Sequence, residues 1–216
     1  MNLVSFNLIS VNPMSYPPAP WHLKGYAFNS FHLLDIEKVR PMIPSDLEIV
    51  SLLPGKTLGN VYVSAYTEGS ILEYNELIIS PALVRYQKMV GSWISHIYVD
   101  DPDSVAGGKE IWGLPKEMAD FSWQKNQKLC QFNWKKGLLN LGTWWQQTIT
   151  GKVLSGIDEK RLLFKSQFKS PIQLVQGIIN IPSNSPFYCL QINQPFITLN
   201  FKKLNLLAEI PSLINY

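Results

Sequence analysis

The residue with the clearest chemical potential is Lys116, which directly follows a proline within the stretch Gly107–Ala119. Apolar side chains flank it at Trp112, Leu114 and Met118. Apolar surroundings withhold water from an ammonium group and so favour the neutral amine, which is a nucleophile. Such an amine attacks a ketone to form an imine, and the protonated imine accepts the electrons released when a β-carboxylate leaves as CO₂. The other interpretation is a surface lysine in a Gly/Pro turn, with its stem over Trp112.

A second chemical group is the carboxylate of Glu76, which comes after Tyr74 and before the apolar run Leu77–Ile79. Charged groups are seldom buried without a partner, so the residue type alone fits a solvated acid at the end of a strand. In a pocket the same carboxylate would take up and release protons during a reaction. The residues alone leave both interpretations open.

The histidines and cysteines give no pattern typical of a metal site. His22, His32 and His96 stand far apart, and no cysteine or carboxylate accompanies them at ligand spacing. Cys130 and Cys189 are too few for a disulfide framework. His96 lies on an apolar stretch, where a histidine is either a satisfied core residue or a catalytic group. We therefore expect no metal and no cofactor.

Composition indicates a folded chain with a thinly charged surface. Of 216 residues, 46% are hydrophobic and 12% aromatic, which excludes intrinsic disorder. Charged residues make up 16%, against about 25% in average proteins, so we expect a partner subunit to cover part of the surface in a homo-oligomer. The net charge of +3 is too small for a nucleic-acid footprint.

The sequence also carries no signal for membrane insertion or secretion. No run of apolar residues reaches the length that a membrane-spanning helix needs. The N-terminal stretch has no basic residue before its apolar part, unlike a secretory signal. We expect a cytoplasmic protein without a membrane span.

Alternation of apolar and polar residues predicts mainly strands. In one of them, Val61 and Val63 alternate with Tyr62 and Ser64, as in a half-buried strand. Short helices are predicted at Ile36–Met42, Ser104–Gly108 and Leu204–Leu213. Strands are predicted at Gly25–Leu34, Leu47–Leu53, Val61–Thr67, Tyr74–Gln87, Ser92–Val99, Phe121–Lys125, Leu129–Trp134, Leu138–Thr150, Arg161–Ser166, Tyr188–Ile192 and Pro195–Phe201. The fold class is therefore mainly β (α+β), a curved antiparallel sheet or barrel around an interior, in one domain, 16–216, after a flexible tail, 1–15.

The stretch Gly107–Lys116 resembles the signature of the acetoacetate decarboxylase family. Supporting similarities are Tyr74–Glu76, His96–Asp100 and Val39–Glu48, in the same order. The resemblance implies a β-cone around a buried, mostly apolar pocket, usually in a homo-oligomer. It also implies that Lys116 forms a Schiff base with a β-keto acid and that Glu76 lines the same pocket. The candidate substrate-binding residues are Tyr74, His96, Trp112, Leu114, Phe28 and Lys24.

Three departures from the family's decarboxylases concern the substrate's carboxylate. Those enzymes carry a second lysine after the catalytic one, where this chain has Glu117, and an arginine in the N-terminal strand, which is absent from 21–34. They also carry another glutamate shortly before the one matched by Glu76, and the strand 60–67 has none. These differences favour a larger or more apolar substrate.

Three functions follow from this sequence. The first is a lyase that forms a Lys116 Schiff base with a keto acid or a related carbonyl compound and releases CO₂. The second is a carrier that holds an apolar ligand in the same pocket, with Lys116 as a polar anchor. The third is an aldolase, dehydratase or isomerase that uses the same imine without losing CO₂.

Overall fold

The computed structural model describes residues 16–121, 131–136, 146–157 and 160–214. The predicted tail 1–15 and Cys130 lie outside the described residues, as does nearly all of the predicted strand Phe121–Lys125. The helices are α1 (Ile36–Val39) and α2 (Pro102–Trp112), with 3-10 turns at Arg40–Met42 and Tyr188–Leu190. The strands are β1 (Trp21–Asp35), β2 (Glu48–Ile49), β3 (Lys56–Tyr66), β4 (Asn75–Ser80), β5 (Ala82–Tyr86), β6 (Met89–Trp93), β7 (His96–Val99), β8 (Lys116–Met118), β9 (Gln131–Lys136), β10 (Gln146–Ile157), β11 (Lys160–Asn180), β12 (Ile197–Ala208) and β13 (Ser212–Leu213).

All of these strands belong to one large sheet. Its order is β2-β5-β6-β10-β11-β12-β1-β3-β4-β7-β8, and β9 and β13 pair with β11. The pairs β6–β10 and β7–β8 are parallel, and the other described pairs are antiparallel. The predicted fold class, a mainly β protein with few short helices, is confirmed.

Both faces of the sheet are covered by apolar side chains. On one face Val61 and Val63 of β3 pack with residues of α1 and of the segment 187–192. On the other face Tyr62 and Tyr66 of the same strand pack against α2. We call this second face the inner face, because it lines a cavity. Alternation along a strand such as β3 therefore separates the residues of one core from those of the other.

Three local predictions differ from the structure. The predicted helix Leu204–Leu213 is wrong, because β12 continues to Ala208 with Leu204 and Leu206 buried on one face. Instead of the predicted strand Tyr188–Ile192 there is a 3-10 turn at 188–190, closed by a hydrogen bond from Leu190 N to Phe187 O. The helix expected at Ser104–Gly108 is present but longer, since α2 spans Pro102–Trp112. No helix among the described ranges has the length and apolar character needed to cross a membrane.

Candidate active site

A short β-α-β unit positions Lys116. Strand β7 leads into α2, where the Asp101 side chain accepts a hydrogen bond from Ser104 N and so caps the first turn. Gly113, in the left-handed conformation at φ 62°, ends the helix. After Pro115 the chain enters β8, which pairs in parallel with β7 and places Lys116 beside Ile97. The Gly-Leu-Pro-Lys sequence is thus a helix stop followed at once by a strand whose first residue is the buried Lys116.

Two consecutive glycines of α2 make room for this arrangement. A Cβ atom on Gly108 would lie 2.4 Å from Lys116 Cδ and 2.7 Å from Cε, so the lysine stem runs across the helix at this residue. A Cβ atom on Gly107 would lie 2.6 Å from the Trp21 ring. Ser104 lies one turn before Gly108 and therefore shares its helix face. The lysine stem crosses the glycine, and its amine reaches the serine.

The Lys116 amine is buried and lies among polar partners and aromatic rings. The side chain is only 3% exposed. Its Nζ lies 3.1 Å from Glu76 Oε1 and 2.8 Å from Ser104 Oγ. The Tyr74 hydroxyl lies at 3.5 Å, and the ring centroids of Tyr74 and Trp21 lie 4.9 and 5.6 Å from Nζ. Aromatic faces and an anion thus hold the nitrogen in place without bulk water.

A chain of hydrogen bonds extends from Glu76 into the sheet. The Tyr66 hydroxyl donates to Glu76 Oε2 at 3.0 Å, and the Tyr62 hydroxyl lies 3.1 Å from that of Tyr66. Since Tyr66 has one O–H proton and gives it to Glu76, Tyr62 is the donor between the two phenols. Burial, with the nearby Glu76 carboxylate, raises the pKa of Tyr66 and Tyr74 well above the usual value. The phenols therefore stay neutral donors at physiological pH.

This cluster lies in the wall of a cavity of about 260 Å³ on the inner face. Most of the wall is apolar, with Ile78, Ile94 and Phe168 among its residues. Lys116 and Glu76 lie at a fully buried end. A second lysine, Lys152, also lines the cavity but is exposed. The arrangement is an amine beside a carboxylate, facing a space large enough for a small organic molecule.

The structure brings together five of the eight predicted site residues. Lys116, Glu76, Tyr74, Trp112 and Leu114 all line the cavity.

The other three do not line it, and strand alternation gives the reason. Leu23, Asn29 and Phe31 of β1 face the cavity, so Lys24 and Phe28 point to the opposite side, Lys24 into solvent and Phe28 into the other core. Likewise Ile97 faces the cavity, and its neighbour His96 packs against Phe187. The expectation that His96, Phe28 and Lys24 contact the substrate is corrected accordingly.

Three residues of the site were not predicted from the sequence. Ser104 could have been found from its position four residues before Gly108, which puts it on the glycine face of α2. Tyr66 could have been found from its spacing to Tyr62, because residues four apart on a strand share a face. Trp21 has no local signal, since only the pairing of β1 in the sheet brings it to the amine.

The three departures from the family's decarboxylases have structural counterparts. Glu117 is exposed, next to Lys116 in the strand and on the opposite side of it. The cavity wall contributed by β1 contains no arginine, and the β3 side chain that contacts Glu76 is Tyr66 rather than an acid. Among the described residues, no group of three or more His, Cys, Asp or Glu side chains could hold a metal ion.

Comparison with solved structures finds the same fold. Acetoacetate decarboxylase from Legionella pneumophila superposes with a TM-score of 0.67 at 15% identity, covering 100% of this chain and 98% of that one. The enduracididine biosynthesis enzyme MppR, complexed with pyruvate, superposes with a TM-score of 0.59 at 13% identity, covering 100% of this chain and 99% of that one.

Comparison of sequences identifies the family. Protein NEOXANTHIN-DEFICIENT 1 of Solanum lycopersicum is 28% identical over 109 residues, which are 50% of this chain and 37% of that protein. The chain thus spans less than half the length of this curated relative. The family model described as acetoacetate decarboxylase (ADC) matches residues 9–149, well over half of the chain. The chain therefore belongs to the acetoacetate decarboxylase family.

Proposed function

We propose that this protein is a lyase in which Lys116 forms a Schiff base with a keto acid or a related carbonyl compound. The observation that carries the proposal is the Lys116 amine, 3% exposed, held 3.1 Å from Glu76 at the buried end of an apolar cavity. A lysine on the surface would be hydrated and protonated, whereas this one has a carboxylate within reach to take its proton.

The steps balance with the groups present and one proton from solvent. Glu76 accepts a proton from Lys116, and the free amine attacks the carbonyl carbon. The resulting carbinolamine takes that proton back from Glu76 and loses water, which gives the iminium ion. The bond to a β-carboxylate then breaks, its electron pair moves into the iminium system, and CO₂ leaves, so that an enamine remains. Glu76 takes up one proton from solvent and delivers it to carbon, and addition of water to the iminium ion then releases the ketone and the Lys116 ammonium group.

A second candidate is imine chemistry without loss of CO₂. Glu76 is an anion beside the amine, and the described wall offers no arginine for a substrate carboxylate. A neutral carbonyl compound therefore avoids the repulsion that a keto acid would meet. One structural relative, MppR, is known in complex with the condensation product of pyruvate and imidazole 4-carboxaldehyde, which supports aldol-type chemistry on this scaffold.

The decisive experiment is trapping of the imine. The protein is incubated with acetoacetate, pyruvate and simple ketones, reduced with borohydride, and digested for mass mapping. We expect a reduced adduct on Lys116 and none on the exposed Lys109 in the same digest. Lys116→Met should abolish the adduct, while Lys109→Met, the matched control, should retain it. Absence of the adduct, with a known family decarboxylase labelled in parallel, would overturn the proposal.

Two further readouts separate the alternatives. NMR analysis of the products distinguishes CO₂ release from aldol condensation, dehydration or isomerisation. A carrier would convert no substrate to product. Its Lys116→Ala variant would keep most of the wild-type ligand affinity. An enzyme would lose all turnover in the same variant. Assembly into a homo-oligomer remains a prediction, which light scattering would test.

A further inference from the structure

The cavity has a second polar cluster at its other end. Asn29, Asn60 and Ser80 all line the cavity. Asn60 pairs with Ser80 across β3 and β4, and Phe31 pairs with Asn60 across β1 and β3, so the cluster spans three adjacent strands. Ser80 follows Glu76 by four residues along β4, which places their Cα atoms about 13 Å apart. This cluster is therefore distinct from the group around the amine.

The hydrogen-bonding capacity of this cluster is only partly used. Asn60 Nδ2 donates to Asn29 Oδ1 at 3.0 Å, which leaves the Asn29 amide protons and the Asn60 carbonyl oxygen without another partner among the described residues. Ser80 is 2% exposed, and within the same described part of the chain its hydroxyl has no partner. Because an unpaired buried hydroxyl is costly, such a group is usually satisfied by water or a ligand.

Exposure changes from one end of the cavity to the other. Tyr66 and Tyr74, beside the amine, are buried, whereas Asn29 and Asn60 are half-buried. The two asparagines are therefore more exposed than the residues beside the amine. The wall between them is apolar, so a molecule reaching from one cluster to the other has an apolar middle.

We infer that the carbonyl substrate is elongated and carries a neutral hydrogen-bonding group, a hydroxyl or an amide, that binds Asn29, Asn60 and Ser80. This inference rests on the proposed Schiff base at Lys116. The group is neutral because the cluster offers amide and hydroxyl donors and acceptors without a charged side chain. It lies on the order of 10 Å from the reacting carbonyl, given the spacing of the two clusters along β4.

The test uses unbranched methyl ketones of increasing chain length, each with and without a terminal hydroxyl. The readout is the ketone concentration that gives half-maximal borohydride trapping on Lys116. In the wild-type protein the hydroxyl should lower this concentration about tenfold, and only for chains long enough to span the two clusters. Asn60→Leu should remove that preference, measured within the variant as the ratio of the half-maximal concentrations of the plain and the hydroxylated ketone of equal length. Ser80→Ala provides a second variant if Asn60→Leu does not fold, as judged by circular dichroism.

The outcomes distinguish this inference from the function on which it rests. Equal half-maximal concentrations for plain and hydroxylated ketones in the wild-type protein would overturn the inference and leave the Schiff base standing. A preference for the hydroxylated ketone that persists in both variants would also overturn the inference, because the hydroxyl would then bind elsewhere. If no ketone of any length marked Lys116, the proposed function itself would fail.

Discussion

The amine of Lys116 and the Oε1 atom of Glu76 lie 3.1 Å apart, and neither side chain is more than 6% exposed. Each group has a further partner, Ser104 for the amine and Tyr66 for the carboxylate. Solvent screens such a pair little, so each charge depends on the other for compensation. This mutual dependence makes the pair testable by stability as well as by reactivity.

Removing both partners of the pair should destabilise the fold by less than the sum of the two single removals. Glu76→Leu leaves an unpaired buried cation, for which we expect a loss of about 3–5 kcal/mol in the free energy of unfolding. Lys116→Met leaves an unpaired carboxylate with a similar effect. The double variant removes both charges and should cost clearly less than the sum of the single losses, as measured by urea denaturation. Additive losses would contradict the coupling between the two groups.

A methyl group on α2 should displace the amine without unfolding the helix. In Gly108→Ala the new Cβ would lie 2.4 Å from Lys116 Cδ, so the flexible lysine stem must move. Alanine is favoured over glycine in a helix by up to about 1 kcal/mol, which offsets part of the clash. We expect trapping at Lys116 to slow at least roughly tenfold, since a displacement of about 1 Å at a reacting group can cost that much or more.

The control is Ala106→Gly in the same helix. It lowers helix propensity by about 1 kcal/mol but adds no atom near the lysine. Trapping in this variant should match the wild-type rate. Equal slowing in both variants would mean that helix stability, rather than the position of the amine, sets the rate.

The sequence predicts the amine and the acid of this site better than it predicts the wall. Lys116 stands in a specific motif and Glu76 in a supporting one, whereas wall residues depend on which face of a strand meets the cavity. Alternation separates Phe28 from Asn29 but does not say which faces inward, because both faces of this sheet carry apolar cores. Phe28, the more apolar, faces the other core, and Asn29 faces the cavity.

Whether a segment forms a helix or a strand was predictable where apolar and polar residues alternate strongly. It was uncertain where a short apolar run fits both the helix and the strand pattern. Leu204–Leu213 contains enough leucine for a helix, yet its first half pairs as β12 with β1 and β11. Pairing partners far away in the chain decide this outcome, and a local window does not contain them.

A buried histidine outside the site should make the fold sensitive to acid. Burial lowers the pKa of His32 to about 4, whereas the unfolded chain has the ordinary value of about 6.5. The unfolded state therefore binds the proton more tightly, so the stability that His32 contributes is complete above pH about 6.5 and is lost as the pH falls towards 4. The expected loss is roughly 3 kcal/mol in the free energy of unfolding.

Urea denaturation at several pH values would measure this effect. His32→Gln should flatten the dependence between pH about 6.5 and pH about 4. His22→Gln, an exposed position on the same strand, serves as the matched control and should keep the wild-type slope. If His32→Gln keeps the wild-type slope as well, another group is responsible for the acid sensitivity.

The charge at position 117 should act on His96 rather than on the amine. Burial lowers the pKa of His96, and the nearby Glu117 carboxylate raises it in part. Glu117→Lys removes that anion and adds a cation, so the pKa of His96 should fall further. Glu117→Gln should give a smaller shift in the same direction. An NMR titration of His96 would measure both shifts. Because Glu117 is exposed on the other side of β8, the rate of trapping at Lys116 should change less than about twofold. A much larger change in Glu117→Lys would mean that this charge reaches the buried amine after all, and that alternation along β8 does not isolate Lys116.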